Sequence, residues 1–114
     1  MSDEFIAVAT REVNADIEFL ENILKSCTND ADISLNSSRF QKHTHKIKGL
    51  APMMGKESLG TFSSLLDDFF KKMADGVSIN GIFDLILPSI IHMKKSMNEP
   101  NYDFSQITDN INQL

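Results

Sequence analysis

Two histidines lie two residues apart in the middle of the chain, and both could act as nucleophiles. Imidazole has a reference pKa of about 6.5, so an exposed ring is largely neutral at pH 7 and can attack phosphorus in line. The second of the pair, His45, is followed at helical spacing by Lys48 and Gly49. A lysine can pair with a phosphate, and a glycine lets a partner approach closely. We therefore predict that His45 accepts a phosphoryl group.

The apolar spacing around the two histidines indicates which of them faces solvent. If Phe40 and Met54 mark the buried side of a helix, a turn of 100° per residue places His45 about 140° from Phe40. His43 then lies at the edge of the buried side, where it would pack against a neighbouring helix. The residues that share the outer face with His45 are Gln41, Lys48, Gly49 and Pro52. A metal site that uses both histidines is a weak alternative, because residues two apart on a helix face different ways.

A histidine nucleophile works best when a hydrogen-bond acceptor holds the proton of its second ring nitrogen. Asp67 is the candidate for this role, because it falls in a polar stripe of the next predicted helix. That stripe comprises Gly60, Ser64, Asp67 and Lys71. In an antiparallel hairpin of the two helices, the stripe would lie beside His45. On spacing alone, surface charge is the commoner meaning of the pair Asp67-Asp68.

Four amphipathic helices and a C-terminal helix are predicted to position these residues, because apolar residues recur every three or four positions. We place the helices at about residues 3–26, 37–54, 56–74, 79–97 and 103–114, and a loop at about residues 29–38. Pro52 and Pro88 each predict a bend in their helix. Since short loops favour antiparallel neighbours, we expect an all-α fold, an up-down antiparallel four-helix bundle with the C-terminal helix packed beside it.

The same spacing predicts the buried side of each helix. The predicted core residues are Ile6, Val13, Ile17, Leu20, Leu24, Cys27, Phe40, Thr44, Ile47, Ala51, Met54, Leu59, Phe62, Leu66, Phe69, Met73, Ile79, Phe83, Ile86, Ile90, Met93, Met97, Phe104, Ile107, Ile111 and Leu114. Ser2 and Asp3 are candidate caps for the first helix, and Gly55 is placed to end the second.

Length, charge and cysteine content narrow the class of protein. A chain of 114 residues with 41% hydrophobic residues can bury one core, so we expect a single domain over residues 1–114, with its core at about residues 3–98. A net charge of -5 argues against nucleic-acid and anionic-membrane partners. Cys27 is the only cysteine, and the chain shows neither an apolar run long enough to span a membrane nor a secretory signal. We expect a cytoplasmic, monomeric domain.

The segment His45-Lys46-Ile47-Lys48-Gly49, followed by a small and apolar stretch, Gly55 and then Leu59, resembles the signature of histidine phosphotransfer (HPt) domains. In that signature a histidine is followed by two residues, Lys-Gly, a short apolar stretch, Gly and Leu. The resemblance is closest to the N-terminal phosphotransfer domain of CheA-type chemotaxis histidine kinases. It implies a helical bundle whose histidine is a phosphoryl carrier in a two-component phosphorelay.

The resemblance also implies a role for each matching residue and for the partners. His45 would be the phosphoacceptor, Lys48 its basic neighbour and Asp67 the acidic residue that orients it, a position usually held by Glu. The residues that would meet the partners are Gln41, Lys42, Gly49, Pro52 and Ser64. The partners would be a histidine-kinase catalytic domain, which binds ATP and Mg²⁺, and a response-regulator receiver domain. The chain itself would bind no metal or cofactor and would not be an enzyme on its own.

Several alternatives stay open on the sequence. Ser64 stands where that family often has a second histidine, so the hydrogen-bond network around His45 would be built differently. The chain could be a stand-alone phosphotransfer protein, although its open C-terminus slightly favours a fragment of a larger kinase. It could also be a helical protein-interaction domain whose histidines carry no phosphate, with His43 and His92 as boundary residues.

Overall fold

The computed structural model describes residues 2–114, and those residues form helices without any strand. In chain order the six helices are α1 (Asp3–Leu24), α2 (Asp30–Leu35), α3 (Ser37–Met53), α4 (Glu57–Ala74), α5 (Ile82–Ser96) and α6 (Ser105–Asn112). All six helices contribute to one cluster of buried apolar side chains. The predicted all-α class is confirmed, and the helix bounds agree with the prediction except around α2 and α5.

The ends of the first long helices follow their predicted signals. The hydroxyl of Ser2 accepts a hydrogen bond from the N–H of Phe5 at 3.1 Å, which confirms Ser2 as the cap of α1. Helix α3 continues through Pro52 and ends one residue later. Gly55 then takes a left-handed φ of 81°, the conformation that lets the chain turn from α3 into α4.

The predicted loop at residues 29–38 contains helix α2, so that part of the prediction is wrong. The side chain of Asn29 accepts a hydrogen bond from the N–H of Asp32 at 2.8 Å and caps the helix. Ile33 is its one buried residue. A helix of six residues with one buried position has no repeat to detect, which is why the polar composition dominated the prediction.

Helix α5 begins at Ile82 rather than at Ile79 because its N-terminus is fixed by α2. The carboxylate of Asp30 accepts hydrogen bonds from the N–H groups of Gly81 and Phe83, at 2.9 and 2.8 Å. These backbone bonds hold the pKa of Asp30 below its usual value. A side chain of α2 therefore serves as the N-terminal cap of α5.

Helices α3 and α4 form a closely packed antiparallel hairpin. Near the open end, the rings of Phe40 and Phe70 stack with centroids 4.9 Å apart. Near the turn, Pro52 lies against Gly60, where a β-carbon would come within 2.6 Å of Cγ of the proline ring. A proline ring cannot move aside as a flexible side chain can, so the approach of the two helices requires glycine at position 60.

Most of the predicted core residues are buried, and the exceptions lie at the edges of the stripes. Phe70, not Phe69, takes the buried position in α4, and Ile82 replaces Ile79 at the start of α5. Ile6 is 36% exposed in the first turns of α1. Leu114 at the chain end is exposed as well. A spacing of three or four residues is compatible with either member of each pair in the core. Only packing against the other helices decides which of the two is buried.

The C-terminal segment docks on the rest of the fold as predicted. Phe104 stacks on Phe62 of α4 with ring centroids 4.7 Å apart. The Tyr102 hydroxyl lies 2.6 Å from Nδ1 of His92 on α5. Partial burial, together with the nearby carboxylates of Glu99 and Asp103, raises the pKa of Tyr102. The hydroxyl therefore stays protonated, and its hydrogen bond with His92 holds the tail against α5.

Candidate functional site

His45 lies on the exposed side of α3, as its helical position predicts. Its side chain is 69% exposed, whereas Thr44 and Ile47 on either side of it in the sequence are buried. A histidine in the middle of a helix, with its ring in solvent, can be reached by the active site of another protein. Exposure of this kind also leaves the ring free to react without a conformational change in the bundle.

The carboxylate of Asp67, on the facing helix α4, is the hydrogen-bonding partner of His45. Oδ2 of Asp67 lies 3.4 Å from Nδ1 of His45, and the Asp67 side chain is 6% exposed. The hairpin thus places the predicted pair together. With Nδ1 directed at a carboxylate, the proton of a neutral ring resides on Nδ1 and the lone pair on Nε2. In this tautomer the basic nitrogen is the one turned away from Asp67.

Lys48 lies on the same side of α3 and contacts the same carboxylate. Its Nζ is 3.6 Å from Oδ2 of Asp67, the same oxygen that contacts Nδ1 of His45. A buried carboxylate is costly without a nearby positive charge, and Lys48 supplies that charge. His45, Lys48 and Asp67 therefore form one cluster, which we call the exposed cluster.

Gly49, one turn after His45, has open space around it. A β-carbon at this position would have no neighbour within 4 Å, in contrast to Gly60 on α4. Since glycine in the interior of a helix costs about 1 kcal/mol relative to alanine, and internal packing does not require it here, the fold gives no reason for the residue. The open surface beside His45 is consistent with a partner that approaches closely.

The remaining predicted partner residues lie in two shallow grooves, and His45 itself lines the second of them. Residues of α3 and α4 line the first groove, and α3 alone lines the second. The first comprises Lys48, Pro52, Glu57, Gly60, Thr61 and Ser64, and the second comprises Ser38, Gln41, Lys42, His45 and Lys46. Ser64 thus lies beside Lys48 and Pro52 in the first groove, and Gln41 and Lys42 lie with His45 in the second.

A second cluster of the same residue types lies on the opposite side of α3, and sequence reasoning missed it. Nδ1 of His43 is 2.8 Å from Oδ1 of Asp16 on α1, and Nζ of Lys46 is 3.4 Å from the same oxygen. The ring of Phe19 stacks on His43 at 4.7 Å, and the His43 side chain is 12% exposed. We call His43, Asp16 and Lys46 the covered cluster. The available signal was Asp16 itself, a carboxylate inside the apolar stripe of α1.

Three buried side-chain oxygens have no hydrogen-bond partner among residues 2–114. They are Oδ2 of Asp16, Oγ of Ser63 and Oδ1 of Asp67. In each cluster, one carboxylate oxygen therefore contacts a histidine and a lysine while the other oxygen is unpaired. Ser63 is not among the residues that the sequence analysis predicts for the reaction or for partner binding.

The chain was compared with protein-family models, curated proteins and solved structures, and none of the three comparisons gave a match. Within residues 2–114, His, Cys, Asp and Glu side chains do not gather in groups of three or more that could hold a metal ion. Crossing a bilayer would take a longer or more apolar helix than any assigned to these residues. The resemblance to HPt domains therefore depends on the motif around His45.

Proposed function

We propose that this chain is the phosphoryl carrier of a two-component phosphorelay. His45 accepts a phosphoryl group from the ATP-binding domain of a histidine kinase and passes it to an aspartate of a response-regulator receiver domain. The observation that carries the proposal is an exposed imidazole whose Nδ1 lies 3.4 Å from a buried carboxylate, with a lysine on the same oxygen. This arrangement suits a histidine that reacts through Nε2 with molecules outside the bundle.

The first transfer forms one bond and breaks one. The Nε2 lone pair of His45 attacks the γ-phosphorus of ATP, which the kinase domain holds with Mg²⁺, and ADP leaves with the electron pair of the broken P–O bond. The ring gains positive charge as the N–P bond forms. Asp67 stabilises that charge because its carboxylate accepts the Nδ1–H hydrogen bond. Lys48, beside Asp67, is placed to pair with the transferred phosphate.

The second transfer reverses the role of the histidine. A carboxylate oxygen of the receiver's aspartate attacks the phosphorus, the P–N bond breaks, and its electron pair returns to Nε2. The chain recovers a neutral imidazole with its proton on Nδ1. The two grooves offer the contact surface, with Gln41 and Lys42 beside His45 in one and Pro52 and Ser64 in the other.

The helices can be grouped in a way that fits this function. We assign α1, α3, α4 and α5 to an up-down four-helix bundle of the HPt type, with α2 as a connection and α6 as the additional C-terminal helix. The contacts that support this grouping are those of α3 with α4, of α1 with α3 and α5, and of α5 with α6. By the resemblance of the motif, we place the domain in a CheA-type chemotaxis kinase, with a separate phosphotransfer protein as the nearest alternative.

Phosphorylation with a small donor and with a kinase tests the proposal. The purified chain is incubated with phosphoramidate, and separately with the catalytic domain of a CheA-type kinase and labelled ATP. We expect label that is lost in acid and retained in alkali, located on His45 by mass spectrometry. The labelled chain should then lose its phosphate to a receiver domain that carries the acceptor aspartate.

The alternative of a helical interaction domain predicts a different result. In that case neither donor would place phosphate on any histidine, although the chain would still be folded by circular dichroism. Label that survives acid would indicate a phosphate ester on a hydroxyl side chain such as serine or threonine. That result would also contradict the proposal.

A further inference from the structure

Two of the three unpaired buried oxygens lie on α4, one helical turn apart. Ser63 is fully buried and Asp67 is 5% exposed, and neither Oγ of Ser63 nor Oδ1 of Asp67 has a hydrogen-bond partner among the described residues. An unpaired buried polar group costs about 1–3 kcal/mol. Two such groups on adjacent turns of one helix therefore call for a common explanation.

Helix geometry brings these two groups towards each other. Residues four apart lie on the same side of a helix, and each side chain leans towards the helix N-terminus. The carboxylate of Asp67 therefore leans towards the turn that carries Ser63. A hydroxyl can donate and a carboxylate oxygen can only accept, so the two unpaired groups are complementary.

We propose that Ser63 is a positioning residue for the phosphoryl acceptor: its hydroxyl donates a hydrogen bond to Oδ1 of Asp67 and thereby reserves Oδ2 for the Nδ1–H of His45. Forming this bond requires a different rotamer of the Ser63 side chain, since its Oγ has no hydrogen-bond partner among the described residues. The effect on phosphorylation rests on the proposed function, whereas the effect on the imidazole does not.

The bond has a clear consequence for the exposed cluster. A carboxylate held at both oxygens cannot rotate, so Oδ2 stays directed at His45 although Lys48 competes for it at 3.6 Å. The proton then stays on Nδ1 and the lone pair on Nε2. The covered cluster lacks this device, because the residue one turn before Asp16 is Glu12, which has no donor to offer at neutral pH.

The test compares Ser63→Ala with Ser89→Ala. Ser89 is also a buried serine within a helix, but its hydroxyl donates to the carbonyl of Leu85 on α5, so it controls for loss of a buried hydroxyl. The ¹⁵N shifts of His45 are recorded in the full chain at about pH 8, where imidazole is neutral. The rate of His45 labelling by phosphoramidate is measured on the same samples.

We expect Ser63→Ala to lower the fraction of the Nδ1–H tautomer and to slow labelling by about 3- to 10-fold, the range that one ordinary hydrogen bond supports. Ser89→Ala should leave both quantities as in the wild type. An unchanged tautomer in Ser63→Ala overturns the inference, as does an unchanged rate in a protein that is labelled. If the wild type takes up no phosphate on His45, the proposed function fails, and the tautomer alone decides the role of Ser63.

Discussion

The two histidine clusters on α3 contain the same three residue types, yet an aromatic ring covers one histidine and the other faces solvent. Each has a histidine, a lysine three residues later, and a buried aspartate from a neighbouring helix that contacts both. In the covered cluster the His–Asp distance is 2.8 Å and Phe19 stacks on the ring. In the exposed cluster the distance is 3.4 Å, and the His45 ring is left to solvent.

The difference shows that a histidine–aspartate pair acquires its role from what covers it. The short bond and the stacked ring of His43 fix α1 against α3, which is a structural role. The longer contact of His45 leaves its ring accessible, as the chemical role in the proposed function requires. One helix can serve both purposes because residues two apart point to different sides of it.

The largest expected effect concerns the two histidines themselves. His45→Gln should reduce acid-labile labelling to background, because the nucleophile is gone. His43→Gln should be labelled at a rate close to that of the wild type when corrected for the folded fraction. The measurement is label per molecule after incubation with phosphoramidate or with kinase and ATP. Loss of label in His43→Gln but not in His45→Gln would reverse the assignment, and label in both variants would refute it.

Substitution of the two aspartates should have different effects, one on the rate of His45 labelling and the other on the free energy of unfolding. Asp67→Asn should slow labelling by about 10-fold or more, because the Nδ1–H of His45 loses a charged acceptor. Asp16→Asn should instead lower the free energy of unfolding by about 1–3 kcal/mol, since a buried charged hydrogen bond is weakened. Urea unfolding and labelling kinetics on both variants provide the comparison. An equal rate for Asp67→Asn and wild type would remove the orienting role of Asp67.

The two glycines of the hairpin offer a third contrast, between packing and access. Gly60→Ala should lower the free energy of unfolding by about 1–3 kcal/mol, because its β-carbon would overlap the Pro52 ring. Gly49→Ala should raise it by up to about 1 kcal/mol, since alanine favours the helix and meets no neighbour. Only Gly49→Ala should slow transfer from a kinase domain while phosphoramidate labelling is unchanged. A stable Gly60→Ala variant would contradict the packing argument.

The smallest expected effect is at Asp30, a carboxylate that contacts no histidine and so serves as a reference for both clusters. Its pKa is lowered by the N–H groups of Gly81 and Phe83, so its contribution to stability is full above the ordinary pKa and is lost as pH falls through the lowered value. Asp30→Ala should cost about 1 kcal/mol at pH 7 and flatten the dependence of stability on pH below about pH 4. Thermal unfolding at several pH values measures this. An unchanged slope would place the acid sensitivity elsewhere.

Much of the exposed cluster could be predicted from the sequence because it depends on helical repeat alone. The stripe from Phe40 to Ala51 fixed the outward direction of His45, and an antiparallel hairpin then placed Asp67 opposite it. The structure agrees with both steps. The roles of these residues and the division into a single domain stay predictions.

The features that escaped prediction depend on contacts between elements rather than on repeat. The partners of Asp16 are known only once α3 is packed on α1, and the unpaired hydroxyl of Ser63 is known only once its surroundings are. The need for Gly60 appears only with the Pro52 ring across the hairpin. Local spacing indicates which side of its helix a residue occupies, but it does not specify the contacts that the residue makes with another helix.

Tyr102 gives the protein an optical property that follows from its place against His92. It is the only tyrosine in a chain without tryptophan, so the tyrosine fluorescence of the protein comes from one position. That position is the docked tail, where the phenol oxygen lies 2.6 Å from Nδ1 of His92 and the ring packs edge-on against Phe104. The tyrosine emission therefore reports release of the C-terminal segment. A change in this emission on phosphorylation would mean that the segment responds to phosphorylation of His45.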